Sequence, residues 1–157
     1  MKTLVIYDSY FGNTEKIARS IGEGIGAKVI NVAEIKESDL IGLDFLVIGS
    51  PTRAFRPTEK IGKFLAGVSA DNIKGMKAAA FDTRMDVDSI NNGFLKFMVK
   101  IFGYAADNIA KKLKNKGANL IGKEGFVVTD TKGPLKEGEL ERARQWGRSL
   151  TQKVLAN

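Results

Sequence analysis

No cysteine and no histidine occur among the 157 residues of this chain. Disulfides, thiolate nucleophiles, Cys or His metal sites and histidine-based triads are therefore excluded. Demanding chemistry has to come from a bound cofactor, or from carboxylates, hydroxyls, Lys, Arg and Tyr. Apolar runs long enough to span a bilayer are also lacking, and Met1 and Lys2 lead into a short apolar stretch without a signal-peptide h-region and cleavage site. The expectation is a soluble, cytoplasmic protein with no membrane association. With 43% apolar residues, residues 1–157 suit one domain built on one hydrophobic core.

The charge balance is +7, from 25 basic and 18 acidic residues, which favours acidic partners without saying anything about the fold. Lys111, Lys112, Lys114 and Lys116 fall at one expected helix end. There they complement the macrodipole, so they read as a solvated helix terminus and no nucleic acid is expected.

Apolar runs rich in Val, Ile and Phe recur at residues 3–7, 28–32, 44–49, 77–81 and 118–128 and read as buried strands. Helical patterns separate them. Residues 14–25 carry Ile17, Ala18, Ile21 and Ile25 on one face, and residues 137–155 carry Leu140, Ala143, Gly147, Leu150 and Val154. Alternating strands and helices imply right-handed parallel crossovers, and strands apolar along their length need cover on both faces. The fold class is α/β, a three-layer doubly wound sandwich with a five-stranded parallel sheet. Between Asp86 and Gly103 a long loop is expected, followed by a short aromatic-rich helix ending at Gly103; a second helix spans residues 105–114. Core packing is the expected use of Phe94, Phe97, Phe102 and Tyr104, with roofing a substrate pocket as the alternative, and exposed aromatics there would suit a dimer face.

Ligands in such a sheet sit beyond the carboxyl ends of the strands, where strand order reverses. After the first strand comes Tyr7-Asp8-Ser9-Tyr10-Phe11-Gly12-Asn13-Thr14-Glu15. Hydroxyls and free backbone N–H groups converging on a helix start make a phosphate cradle, with Gly12 allowing close approach. A plain N-cap at Asn13 or Thr14 is the competing use. No Gly-x-x-x-x-Gly-Lys-Ser/Thr pattern is present, and Gly22-Glu23-Gly24-Ile25-Gly26 follows a helix where a dinucleotide fingerprint would follow a strand. The third strand is followed by Gly49-Ser50-Pro51-Thr52-Arg53-Ala54-Phe55-Arg56-Pro57-Thr58. Two of the chain's three prolines stiffen this loop, Ser50 and Thr52 offer hydroxyls, and Phe55 offers an aromatic face. The fourth strand leads into Asp82, Thr83 and Arg84, which mix donors and acceptors; Asp82 with Arg84 could equally form a structural ion pair.

Y-D-S-Y-F-G-N-T-E-K-I-A, G-S-P-T-R-A-F-R-P-T and F-D-T-R, in this order and spacing, resemble the three FMN-contacting loops of the flavodoxin family. E-G-F-V-V-T-D-T-K-G-P-L-K-E-G-E-L resembles that family's last strand and helix, so the resemblance spans nearly the whole chain. It implies strand order 2-1-3-4-5 and FMN as cofactor. Ser9, Tyr10, Phe11, Gly12, Asn13 and Thr14 would bind the phosphate, and Ser50, Pro51 and Thr52 the phosphate or ribityl end. Arg53, Ala54 and Phe55 would flank the isoalloxazine, with Asp82, Thr83 and Arg84 at its pyrimidine edge. Phe11 stands where many flavodoxins place Thr, and the second loop lacks the Gly that lets a peptide flip in many of them.

The implied function is electron transfer to and from redox partner proteins with acidic docking surfaces, as monomer or homodimer. The alternatives are an FMN-dependent NAD(P)H:quinone-type oxidoreductase, suggested by P-T-R-A-F, and an interaction module of the same fold without FMN. Arg53, Arg56 and Arg84 would put positive charge near the ring, worth roughly 2 kcal/mol per unit charge at about 7 Å, with Asp82, Asp86 and Asp88 cancelling part of it.

Overall fold

Five parallel strands form the sheet of the computed structural model, which describes residues 1–87 and 91–156. They are β1 (Thr3–Tyr7), β2 (Lys28–Asn31), β3 (Phe45–Pro51), β4 (Lys77–Met85) and β5 (Asn119–Val128), in the order β2-β1-β3-β4-β5. Every pairing is parallel. Strand order reverses between β1 and β3, which opens a crevice at their carboxyl ends.

Alternation along the central strands divides the core in two. Leu4, Ile6, Leu46, Ile48, Ala78 and Ala80 face one side, against Ile61 and Leu65 of α2 (Glu59–Gly67) and Ala106, Ile109 and Leu113 of α5 (Ala105–Asn115). Val5, Tyr7, Phe45, Val47, Ala79 and Phe81 face the other, against Ile17, Ala18 and Ile21 of α1 (Asn13–Ile25) and Ala143, Leu150 and Val154 of α6 (Glu139–Leu155). This is the three-layer sandwich expected from the apolar runs. The short α3 (Ala70–Ile73) and the ten-residue α4 (Gly93–Phe102) complete the α-helices among the described residues.

The glycines at the end of α1 serve packing. A Cβ on Gly24 would lie 2.2 Å from the Arg144 carbonyl oxygen, and one on Gly147 would lie 2.6 Å from that of Ile21. α1 and α6 thus touch backbone to backbone, with Arg144 reaching Glu23 at 2.8 Å beside the contact. Gly24→Ala is expected to destabilise the fold by about 1–3 kcal/mol, overpacking outweighing the roughly 1 kcal/mol gain in helix propensity. Urea unfolding of the two proteins measures this; equal midpoints would show that the helices separate freely.

Several elements depart from the sequence expectations. β4 continues through Asp82, Thr83 and Arg84 to Met85, because the long edge strand β5 supplies partners as far as Val128. A bulge shifts that register between Ala78 and Ala79. α1 begins at Asn13 behind Gly12, a left-handed N-cap at φ 91° with no side-chain cap, so neither Asn13 nor Thr14 is the cap. α6 starts at Glu139 rather than Glu137, and Leu140 is exposed instead of facing the core.

α4 is the largest correction. It ends at Gly103, as the pattern suggests, with the Gly103 N–H bonded to the Val99 carbonyl at 2.7 Å. Its aromatics are not core: Phe94 is 72% exposed, Phe97 and Phe102 57% each, and no residue of α4 is buried. An apolar period announces an apolar face, and among the described residues no element covers the outer one. Tyr104 alone of that group is drawn in, its ring 3.5 Å from the Arg84 guanidinium carbon.

Candidate functional site

A cavity of about 210 Å³ lies at the carboxyl ends of β1, β3, β4 and β5. A roomier hollow lined by Met1, Asp44, Lys74 and Val154 sits at the opposite end of the sheet, away from the switch point. Ser9, Tyr10, Phe11, Asn13 and Thr14 line the first cavity from one side, Pro51, Thr52, Arg53 and Ala54 from a second, and Thr83 and Arg84 from the floor. Two loops and the polar end of β4, where the sequence suggests a third loop, therefore meet at one cavity.

The cradle follows from one backbone feature. Gly12 turns the chain at φ 91°, and its N–H donates to Ser9 Oγ at 3.0 Å, closing the loop on itself. No protein acceptor among the described residues takes the N–H groups of Tyr10, Phe11, Asn13, Thr14 or Glu15. Five amides at the positive end of a 13-residue helix, without a side-chain cap, suit an oxyanion of a ligand and fit a phosphate monoester. The Thr14 hydroxyl is paired with Thr83 Oγ1 at 2.7 Å, tying α1 to the floor of the cavity.

The second loop is held at both ends. Ser50 Oγ accepts the Thr58 N–H at 2.9 Å and donates to the Pro51 carbonyl, so this buried hydroxyl faces the loop and not the cavity. Thr52 Oγ1 accepts the Ala105 N–H at 3.0 Å. Between them Arg53 and Arg56 exchange two backbone hydrogen bonds of 2.8 and 2.9 Å around Ala54 and Phe55, whose φ values are 47° and 67°. Two left-handed residues without glycine cost roughly 1–2 kcal/mol each, partly recovered through the hairpin bonds. Phe55 leans out of the cavity onto Phe102, ring centroids 5.9 Å apart. Ala54→Gly is expected to raise stability by about 1 kcal/mol through this relieved strain, read as a higher urea midpoint.

The third group divides in two. Thr83 and Arg84 line the cavity, whereas Asp82 is fully buried beneath it. Asp82 accepts Arg84 Nε at 2.6 Å, Arg84 Nη2 at 2.8 Å and the Ala106 N–H at 2.9 Å. Asp82 and Thr52 together cap the start of α5. Burial pushes the Asp82 carboxyl above the usual carboxylate range, against the pull of Arg84 and Ala106. Burial would lower the Arg84 guanidinium, but its hydrogen bond to Asp82 and the charges of Asp82, Tyr104 and Asp107 together outweigh this and hold it charged. Arg84 also lies across Gly125, where a Cβ would come within 2.2 Å of its guanidinium carbon.

This pairing revises the charge expected near the site. Arg84 is matched by Asp82, and Arg56 lines a separate groove with Pro57 and Asn108. Asp88 lies outside the described residues. Among the described residues lining the cavity, Arg53 is a cation outside the Asp82 pair, its guanidinium 4.8 Å from the Tyr10 ring centroid and 6.0 Å from that of Phe11. The sequence reading missed Met85, Val128 and Thr131, which also line the cavity, and Lys132, whose ammonium is 5.7 Å from the Phe11 ring. Their signal is positional: Met85 and Val128 end β4 and β5, and Thr131 and Lys132 follow the last strand, all at the same sheet edge as the other loops. Asn13 Nδ2 fixes them there through the Lys132 carbonyl at 3.1 Å.

A doubly wound sheet with an amide-rich turn and a cavity at its switch point is an arrangement in which α/β sheets hold nucleotides. The sequence profile of the flavodoxin family matches residues 5–146. The flavodoxin of Aquifex aeolicus is 30% identical over 98% of this chain and 86% of its own length, and that of Clostridium saccharobutylicum 27% identical over 98% of each. A solved flavodoxin from the domain Archaea superposes with a TM-score of 0.75 at 22% identity, covering 99% of both chains. The chain belongs to the flavodoxin family, and it is an FMN-binding electron-transfer protein of that kind.

Proposed function

We propose that residues 1–157 act as one cytoplasmic domain that carries electrons between protein partners, with FMN held at the cavity described above. The uncapped, amide-rich start of α1 carries this reading. The N–H groups of Tyr10, Phe11, Asn13 and Thr14 would hold the phosphate, with the Ser9 hydroxyl beside them and Lys132 adding positive charge. Thr52, Arg53, Ala54, Thr83, Arg84 and Met85 would meet the rest of the cofactor. Bound there, FMN supplies reversible acceptance and donation of electrons. The protein's part is to orient it, to exclude water along the floor made by Thr14 and Thr83, and to set its charge environment.

Arg53 is the lever on that environment. Removing its charge with Arg53→Ala is expected to lower the midpoint potential of bound FMN by tens of millivolts, on the order of 1–2 kcal/mol per electron. Anaerobic spectroelectrochemistry reads the shift, and an unchanged potential would place the flavin away from Arg53.

The positive charge of the chain favours redox partners with acidic docking surfaces. Anaerobic stopped-flow mixing of the FMN-loaded protein with a reduced small acidic ferredoxin tests the carrier reading. Rapid flavin bleaching supports it. Sustained NADH or NADPH oxidation in the presence of a quinone, with no exchange with the ferredoxin, would favour the oxidoreductase reading instead.

A further inference from the structure

We propose that α4 and the Arg53–Arg56 hairpin form the docking surface for the redox partner, and that this partner presents an apolar centre with an acidic rim. The inference rests on the carrier reading and adds the place and chemistry of the contact.

Phe94, Phe97 and Ile101 recur at helical spacing of three and four along the outer face of α4, exposed by 72%, 57% and 56%. Only Leu95, Met98 and Val99 turn partly inward. Exposing such side chains is costly in water, and contiguous patches of this size on a monomer usually mark a binding surface. The patch is continuous with the cavity: Ala54 lines the cavity, Phe55 follows it, and the Phe55 ring contacts Phe102 at the end of α4. A protein seated on α4 therefore lies beside the cavity mouth, where short-range electron transfer requires it.

Charge selects the kind of partner. Lys96 and Lys100 border the apolar stripe on α4, and Arg53 and Arg56 stand on the adjoining hairpin. The sequence holds no Asp or Glu between residues 89 and 106 or between residues 45 and 58. A second copy of this chain would bring these cations against their own equivalents. Area points the same way. Phe94, Phe97, Ile101 and Phe102 expose on the order of 450 Å² together, given the size of aromatic side chains. That is about half the roughly 800 Å² per partner of a standard stable interface, and it suits the small, transient contact of an electron-transfer encounter.

The test uses the FMN-loaded protein and a small acidic [2Fe–2S] ferredoxin as probe, with a basic c-type cytochrome as control. Docking is read by calorimetry with the oxidised probe. Electron transfer is read separately by stopped flow, in which one electron leaves the reduced cluster and enters the bound FMN. The wild-type protein is expected to bind the ferredoxin, with affinity falling as salt rises, and not the cytochrome. Phe94→Ser/Phe97→Ser is expected to weaken binding about tenfold, and Lys96→Glu/Lys100→Glu to slow association about tenfold at low salt. Both variants should keep wild-type FMN affinity, since neither touches the cavity.

Wild-type docking by both variants overturns the proposal, as does preference for the cytochrome. A wild-type dimer that Phe94→Ser/Phe97→Ser converts to monomer would make α4 a self-association face. Sedimentation with phosphatidylglycerol vesicles, lost in the same variant, would make it a lipid contact. Salt-sensitive docking through α4 by a chain that takes up no FMN would support the surface while refuting the cofactor assignment, so the two failures are distinguishable.

Discussion

Ser9→Asp is expected to weaken FMN binding at least a hundredfold while leaving the fold as stable as the wild type. Ser9 Oγ already accepts the Gly12 N–H at 3.0 Å, so a carboxylate at this position keeps an acceptor for that amide. Ser9 is half-buried at the start of the cavity wall, and α1 has no side-chain cap for the new group to displace. A negative charge at a helix N-terminus is worth about 0.3–1 kcal/mol to the folded protein, so the unfolding midpoint should hold or rise slightly. Toward a phosphate the same charge is repulsive. Two unit charges about 5 Å apart at an effective dielectric near 20 repel by roughly 3 kcal/mol, which is about a hundredfold in affinity. Ser9→Ala, which removes only a hydroxyl, should cost about tenfold or less. Fluorescence titration with FMN gives the affinities and urea unfolding the stabilities. Undiminished FMN binding by Ser9→Asp would mean that the phosphate sits elsewhere.

Arg84→Met is expected to destabilise the protein by about 3–5 kcal/mol near neutral pH, because it strands the Asp82 carboxylate in the core. Among the described residues Asp82 would keep only the Ala106 N–H, having lost both contacts from Arg84. Against a total stability of about 5–15 kcal/mol this is a large fraction. Its pH dependence has a definite sign. Burial already raises the Asp82 carboxyl, and without Arg84 it rises further. A group raised in the folded state favours the protonated form. Relative to the wild type, the variant should therefore recover stability below the ordinary carboxylate value of about 4 and lose it as pH rises through the elevated folded value. Asp107 behaves in the opposite sense. Despite burial, its contacts with Lys123 and Tyr104 hold it below the usual range, so its contribution is lost as pH falls. Adding Asp82→Asn to Arg84→Met removes the buried charge while leaving an acceptor for Ala106, and should restore much of the lost stability. Urea unfolding across pH for both single variants and the double variant measures the coupling. A loss below about 1 kcal/mol, flat with pH, would show that water reaches Asp82 in the variant.

The architecture was legible because its signals are local. Runs such as Leu4–Tyr7 and Phe45–Ile48 are buried on both faces in the structure, and continuously apolar strands have no other soluble use. α2 begins directly after the proline-bearing loop of residues 49–58 and is too short to show a long apolar period; Thr58 caps it, its Oγ1 accepting the Ile61 N–H at 3.3 Å. The extension of β4 was hidden because Asp82, Thr83 and Arg84 are polar, and only pairing with β3 and β5 reveals them as strand.

Within the site, the glycine turn and the converging loops could be read from motif and position. What could not be read was which polar groups the protein uses for itself. Ser50, Asp82 and the Thr14 hydroxyl carry the same chemistry as ligand contacts, yet their partners are Thr58, Ala106 with Arg84, and Thr83. Such partners lie up to 69 residues away, beyond any spacing rule. Likewise the period of α4 describes an apolar stripe equally well whether it is covered or bare.

Parallel titration of the purified, cofactor-free protein with FMN and with riboflavin tests the central claim most directly. The two ligands differ only in the phosphate, so binding through the amides of Tyr10, Phe11, Asn13 and Thr14 requires FMN to bind at least about a hundredfold more tightly, a difference that Ser9→Asp erases. Equal affinities for FMN and riboflavin, indifferent to Ser9→Asp, would contradict it.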